Sequence, residues 1–531
     1  MPLLTPTRAL VVLTSFLLFS FFWTWGLPHR YAAPTLPIIS HDKGEEKPVA
    51  GQLLPEPLVA NVGGEGAKEK GTPTTLATEI KPGPTKPADI GSDKNCKDVR
   101  GASDVMIVVR TSRVEVEKPP AHLVKLLACA HQFLIFSDHE GEIDGHTIHD
   151  ALDIIPNTTR SKYEEFLEYD KMKADKKYKP SAEKAKALDK WKWLPMVYKV
   201  ATMAPNHRFY MFIEPDTSLS WTNLLQWLDR LDYRIPYYSG VPDTIDDKRY
   251  AKSSPGIMLS YGTLQQYWPR YEELYATEWE SIVAKECCGD LILATAMKQG
   301  HVEFYSSFGL LDPEAPSSLI WGQKFWCTPV VSWHGLTTTQ ADSLWDLQEA
   351  WTKKHGWATP YTHYNAFEQF VKPHLAEQKE DWDNVSSDTQ LTAETGRREK
   401  LEKQKAEGKA GEQPARKEPP KAESKNTQSP NIPPFAKLPK REDALDTLYE
   451  YAADSAENCK ATCQKTDDCL QWKYTSAGDG ECHLGKALRL GAKVQKPDAN
   501  AKWTSGWILD RVNRITEEWG RCERAEWKFN Q

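Results

Sequence analysis

The sequence has no excess of basic charge: 67 Lys and Arg stand against 74 Asp and Glu, a formal net charge of -7. Such a balance gives no field that attracts a polyanion, and no matched recognition motif accompanies it, which argues against a nucleic-acid binder. The chain also lacks a repeat of solenoid period, and its C-terminal cysteines lack the regular CxxC pairs and histidines of a structural zinc site. What it has is length and apolar content. At 531 residues, 40% hydrophobic and 27% charged, it can bury a sizeable core, and length alone predicts roughly two to five domains of about 100–200 residues. The 36 prolines and 30 glycines are unevenly spread, so folded units alternate with open segments. The 20 tryptophans suit carbohydrate stacking, interfaces and core packing alike.

Residues 9–27 form a 19-residue stretch without a charge, long enough at about 1.5 Å per residue to cross a hydrocarbon layer of roughly 30 Å. No small-residue cleavage pattern directly follows it, and Trp23 and Trp25 sit where interfacial anchors are expected. The expectation is therefore an uncleaved signal anchor at 9–27, a short cytoplasmic tail at 1–8 and a flexible lumenal stem at 28–95, rich in Pro, Gly, Lys and Glu. Two sequons, at Asn157 and Asn384, and ten cysteines suggest an oxidising, lumenal compartment.

From Asp104 the pattern turns globular. The run VMIVV reads as a strand, residues 121–130 as a helix and Phe133–Phe136 as a second strand, which is a βαβ rhythm. A charged helical region at 181–204 leads to the buried-strand candidate Phe209–Ile213, which ends in Glu214-Pro215-Asp216-Thr217. In open α/β sheets ligands collect beyond the carboxyl ends of the strands. Residues 386–441 are a charged low-complexity segment that reads as a linker, and 442–531 as a compact disulfide module. One arrangement nests Cys463–Cys469 inside Cys459–Cys482 and leaves Cys522 for another partner.

Glu214 and Asp216, two positions apart around a rigid proline, can direct oxygen ligands at one divalent cation and the phosphates of a donor. Such a cation offsets charge growing on a diphosphate leaving group. An acidic surface turn is the plain alternative.

Residues 104–335 resemble a fungal member of glycosyltransferase family 31, the Fringe-like and core-1 β1,3-galactosyltransferase grouping. The resemblance rests on the aromatic strand entering the acidic turn at 209–217, on Cys287-Cys288-Gly289-Asp290, and on Trp333-His334. It implies a GT-A nucleotide-sugar transferase fold with a mixed central sheet in an α/β domain over 96–385. It also implies a Mn²⁺ site from Glu214, Asp216 and His334, with Glu214 and Asp216 also facing the UDP-sugar donor. Asp290 is then the general base, accepting the acceptor hydroxyl's proton in a single inverting displacement; helix capping is its structural alternative, and Glu286 is a second candidate base. Arg110 and Asp138, after the first two core strands, mark the donor-binding edge. The Cys287-Cys288 pair reads as split between two structural disulfides. The sequence departs from the family at Lys252-Ser253-Ser254-Pro255, where a small, flexible stretch is expected, and at Glu214, where aspartate is more usual.

The spacing of Cys459, Cys463, Cys469 and Cys482 resembles a PAN or apple-type module, which implies a carbohydrate or protein ligand held near the site, or a structural cap. The combined expectation is a single-pass type II Golgi membrane protein that moves a hexose, galactose first, from a UDP-sugar to a glycan or glycoprotein acceptor in a β1,3-type linkage. The alternative is a noncatalytic carbohydrate- or glycoprotein-binding protein that retains the fold.

Overall fold

A computed structural model of the protein describes residues 95–115, 120–395, 448–494 and 501–528. The anchor segment 9–27, the stem and most of the charged segment lie outside the described residues. Among the described residues no helix is long and apolar enough to cross a membrane.

A nine-stranded mixed sheet organises the larger unit. Its first strand, β1 (Val105–Arg110), is buried along nearly its whole length, as a central parallel strand covered on both faces must be. It pairs in parallel with β2 (Gln132–Ser137) on one side and β5 (Phe209–Ile213) on the other. The two-residue period of a strand then sorts the core. Met106, Val108, Tyr210 and Phe212 face one apolar cluster, with Trp193 and Met196 of the helix Trp193–Met203. Val105, Ile107, Val109, Met211 and Ile213 face another, with Leu123 and Leu126 of the helix Ala121–Cys129.

Beyond β2 the chain adds β3 (Gly141–Ile143) and β4 (His146–Asp150), with β4 parallel to β2. It then crosses back to place β5 on the opposite side of β1, so the strand order reverses between β1 and β5. Outside β5 lie β7 (Tyr238–Ile245), β9 (Ile257–Ser260) and β10 (Phe304–Ser306), with β8 (Lys248–Lys252) paired to β7. Strand β9 is antiparallel to both β5 and β7, and β10 is parallel to β7. The carboxyl ends of β1, β2, β4 and β5 and the start of β9 therefore share one edge, and a doubly wound sheet opens a crevice at such a reversal. A small sheet of β6 (Ser218–Leu219), β11 (Leu311–Asp312) and β12 (Ser332–Trp333) stands beside it.

The tryptophans are mostly core. Trp191, Trp193, Trp279, Trp321, Trp326 and Trp333 are buried, whereas Trp268 is exposed.

The cysteine-rich module holds a five-stranded sheet in the order β13 (Lys379–Glu380), β19 (Trp503–Trp507), β16 (Gln471–Thr475), β17 (Glu481–Gly485), β15 (Thr389–Thr392), beside the antiparallel pair β14 (Trp382–Asp383) and β18 (Ala492–Lys493). The boundary drawn from sequence at 385/386 thus falls inside this sheet. Composition marks where charge accumulates, not where the last pairing strand ends. The charged segment leaves and rejoins one sheet and does not join two separate units. The disulfides Cys459–Cys482 and Cys463–Cys469 nest as expected, and Cys522 pairs with Cys327 of the larger unit. Leu488, Leu490, Trp507 and Val512 share an apolar cluster with Trp321, Trp326 and Trp333. Trp326 Nε1 donates to Gly520 O at 2.9 Å. The module is docked on the larger unit through this common core. Replacing Cys327 with Ser is expected to cost about 2–5 kcal/mol, read as a lower urea midpoint.

Of the two sequons, Asn157 is exposed. Asn384 is fully buried, and its side-chain amide donates to Trp472 O at 3.0 Å and Gly506 O at 3.2 Å. The folded chain therefore offers Asn157 and withholds Asn384.

Candidate metal-binding crevice

Strand β5 runs into a tight turn at the reversal edge. The Glu214 amide donates to Thr217 Oγ1 at 3.2 Å, the Thr217 amide returns to Glu214 O at 3.0 Å, and Thr217 Oγ1 donates to Ser254 O at 2.9 Å. The turn holds Glu214 and Asp216 outward on either side of buried Pro215. Strand β12 pairs antiparallel with β6, directly after that turn, so the residue following Trp333 is carried against it. His334 Nδ1 thereby comes 3.4 Å from Asp216 Oδ1 without forming a hydrogen bond. One ligand atom from each of Glu214, Asp216 and His334 lies within 4.8 Å of the others. Burial raises the Asp216 pKa, His334 works against the rise, Glu214 adds to it, and the net shift is upward. Two carboxylates and an unpartnered imidazole nitrogen are a donor set that fits Mn²⁺.

Asp290 reaches the same crevice from the first turn of the helix Gly289–Gln299. A Cβ on Gly289 would lie 2.4 Å from Trp193 Cδ1, so only glycine lets that turn approach the core so closely. Asp290 Oδ2 accepts a hydrogen bond from the Ser253 amide at 2.9 Å. Burial pushes its pKa up, with Arg110 and the Ser253 hydrogen bonds pulling against the rise.

Arg110 joins the two halves. Its guanidinium donates to Asp189 and to Glu214, and reaches Ser253 Oγ at 3.3 Å. It lies 5.2 Å from the centroid of the Trp193 ring. Burial alone disfavours its charge, but Asp189, Glu214 and Asp290 together outweigh that cost and raise its pKa. Asp189 is held below its ordinary value: burial opposes ionisation, and Arg110 and Lys192 overcome it. Asp138, buried at the end of β2, accepts from the Arg113 amide at 3.1 Å, Ser137 Oγ at 3.1 Å and His139 Nδ1 at 3.0 Å. Burial would raise its pKa, and His139, Lys192 and Arg113 lower it further than burial lifts it.

The structure thus brings Glu214, Asp216, His334, Asp290 and Arg110 to one edge of the sheet, with Asp138 two strands from β5. Glu286 is elsewhere engaged, accepting from Lys248 Nζ at 2.6 Å. Cys287 and Cys288 are bonded to each other, which corrects the expectation of two separate bridges. The other eight cysteines already pair among themselves, so no further sulfur remains for either.

Sequence reasoning passed over three participants. Asp189 and Lys192 sit in a charged stretch with no motif, and only their contacts single them out. Ser253 lies in the segment read as a departure from the family. In place that segment ties the crevice together: Ser253 Oγ donates to Glu214 at 3.1 Å, Ser254 O accepts from Thr217, and Pro255 O accepts from Ser332.

Beneath the turn lies His122, buried, with neither ring nitrogen hydrogen-bonded and Nδ1 3.8 Å from Asp342 Oδ1. Burial lowers its pKa below the ordinary imidazole value, with Asp342 and the backbone of Pro215 and Thr217 opposing. The unfolded chain then binds this proton more readily than the folded one. Its contribution is a loss of stability that begins as pH falls below about 6.5 and grows until pH reaches the lowered folded value. His122→Gln should flatten the fall in urea midpoint between about pH 7.5 and 5.5.

The chain matches no protein-family model and no curated protein sequence.

Proposed function

We propose that this chain is a metal-dependent, inverting glycosyltransferase of the GT-A type that moves a hexose, galactose first, from a UDP-sugar to a glycan hydroxyl in a β1,3-type linkage. The observation that carries the reading is the meeting of Glu214, Asp216 and His334 within 4.8 Å at the strand-order reversal, with Asp290 opening onto the same edge. Its supports are the mixed sheet, the parallel strands that end on the crevice, and the acidic turn on the strand beside the reversal.

Asp216, Glu214 and His334 would hold Mn²⁺, which when bound neutralises charge on the departing diphosphate. The rest falls to the chain's own groups. Asp290 accepts the proton of the acceptor hydroxyl as that oxygen forms its bond to the anomeric carbon. The bond from that carbon to the UDP oxygen breaks on the opposite face, which inverts the centre. The Ser253 amide fixes the carboxylate's orientation, and Arg110 favours its ionised form. Asp138, at the end of β2, would face the nucleoside half of the donor, and Arg110, at the end of β1, its phosphates.

The same reading places the chain in the Golgi membrane as a single-pass type II protein with its catalytic unit lumenal. Five disulfides and an exposed sequon asparagine support the oxidising compartment. The docked cysteine-rich module would cap the unit or add an acceptor-binding surface.

The test is depletion of UDP-galactose or another UDP-sugar with Mn²⁺ and a glycan panel, coupled to a hexose gain in acceptor mass. Inactivity across a broad panel by folded protein that still binds glycan would replace this reading with the noncatalytic one.

A further inference from the structure

A second cavity lies away from the acidic crevice, and none of the crevice residues lines it. It holds about 260 Å³, below the ~300–1,000 Å³ of pockets for drug-sized ligands. Its walls come from Asn95 and the Cys96–Cys129 disulfide, from the start of the helix Trp221–Leu228, and from the helix Thr338–His355 with the loop beyond it.

Three of its lining residues are Trp221, Trp345 and Trp357. Trp221 is fixed, because it is buried and its indole N–H donates to Cys96 O at 3.0 Å. Trp345 and Trp357 are half-buried and leave part of their surfaces open. Among these rings lies Gln348, 6% exposed, with neither its amide nitrogen nor its amide oxygen hydrogen-bonded. Buried amides are normally paired, so an orphaned one in a cavity wall is a group that a ligand can satisfy. Thr222 and Thr352 add hydroxyls, held 3.0 Å apart by their mutual hydrogen bond.

We propose that this cavity is a binding site for a single neutral monosaccharide unit, separate from the acidic crevice. Indole surfaces take the apolar C–H face of a pyranose, an amide pairs with adjacent hydroxyls as both donor and acceptor, and two threonines extend the polar side. A charged ligand fits less well: the nearest ionic groups, Glu349 and Lys353, pair with each other at 3.0 Å. The proposal stands whether or not the crevice transfers sugar, because no residue is shared.

The test is saturation-transfer NMR and tryptophan fluorescence on the purified full chain in detergent, without Mn²⁺ or nucleotide. The probes are the methyl glycosides of glucose, galactose and mannose, and N-acetylglucosamine. Saturable binding of at least one is expected. Gln348→Leu should weaken it roughly tenfold or more without lowering the melting temperature, since an apolar replacement removes an unsatisfied amide. Trp345→Ala, at a half-buried position, should weaken it similarly and guards against a folding defect in the first variant. No saturable binding by any of the four up to ~50 mM, far above the ~1 mM scale of weak ligands, would overturn the proposal. So would affinity undiminished in both variants.

Discussion

Replacing Asp290 with Asn is expected to lower turnover by roughly 10²–10⁴-fold and leave UDP-sugar affinity nearly unchanged. Asparagine keeps the shape and can still accept the Ser253 hydrogen bond, so the anchor of the helix start survives. What it cannot do is take a proton. Because Asp290 is not one of the three candidate ion ligands, the loss should fall on kcat and spare donor binding, a split that a general disruption of the crevice would not give. The raised pKa of Asp290 supplies an independent signature. Its ionised form is the active one, so turnover in the unmodified chain should fall as pH drops through a value above the ordinary carboxylate range. Steady-state rates over an acidic pH series, set beside calorimetric UDP affinity, check both statements.

Arg110→Met should be the most destabilising single change near the crevice. The guanidinium is the common partner of Asp189 and Glu214 and lies in the field of Asp290. Methionine fills similar space beside Trp193 but leaves these acids without that cation. Lys192 still pairs with Asp189 at 2.5 Å, which limits the damage on that side. Removing one partner from a buried ionic cluster costs about 3–5 kcal/mol. The melting temperature should fall by roughly 4–8 °C. Arg110 is also a cause that lowers the Asp290 pKa, so the acid limb of any residual activity should move to higher pH. Arg110→Lys should recover part of the stability, having the charge without the two-pronged geometry. Thermal melts of the three proteins decide this; equal melting temperatures would show that Arg110 is not the hub.

Much of the frame was legible from residue pattern. The apolar runs at 105–109, 133–136 and 209–213 lie in adjacent parallel strands because an unbroken apolar run suits a strand covered on both faces. The three- and four-residue returns of Leu291, Leu293, Ala294 and Met297 predict the opening of a helix over 290–298, and the chain forms one over Gly289–Gln299. Residue spacing over 263–283 also reads as helical, and the chain there forms Tyr261–Leu274, a wider turn at Tyr275–Trp279 and Glu280–Lys285. Local spacing does not specify which backbone carbonyl each amide selects. The acidic turn and His334 were nameable because short motifs carry them, whereas their approach depends on the pairing of β12 with β6, about 115 residues apart in sequence. No local rule supplies such pairings.

Long-range contact also explains what was misplaced. The strands at 379–392 lack a strong alternating pattern and are defined by partners beyond residue 470. The sequon at Asn384 satisfies its triplet rule, which is blind to the burial that its own hydrogen bonds impose. Ser253 illustrates the reverse: a residue set down as a family departure holds Asp290 and Glu214 through its amide and hydroxyl.

The central claim is that the turn after β5 and the residue after β12 form one cation site. Electron paramagnetic resonance of Mn²⁺ added to the full chain with UDP tests it most directly. The account predicts an immobilised-ion spectrum in the unmodified protein that is lost in both Asp216→Ala and His334→Ala while each variant stays folded. The same bound-ion spectrum persisting in both variants, or free aqueous Mn²⁺ alone in the unmodified protein, would contradict it.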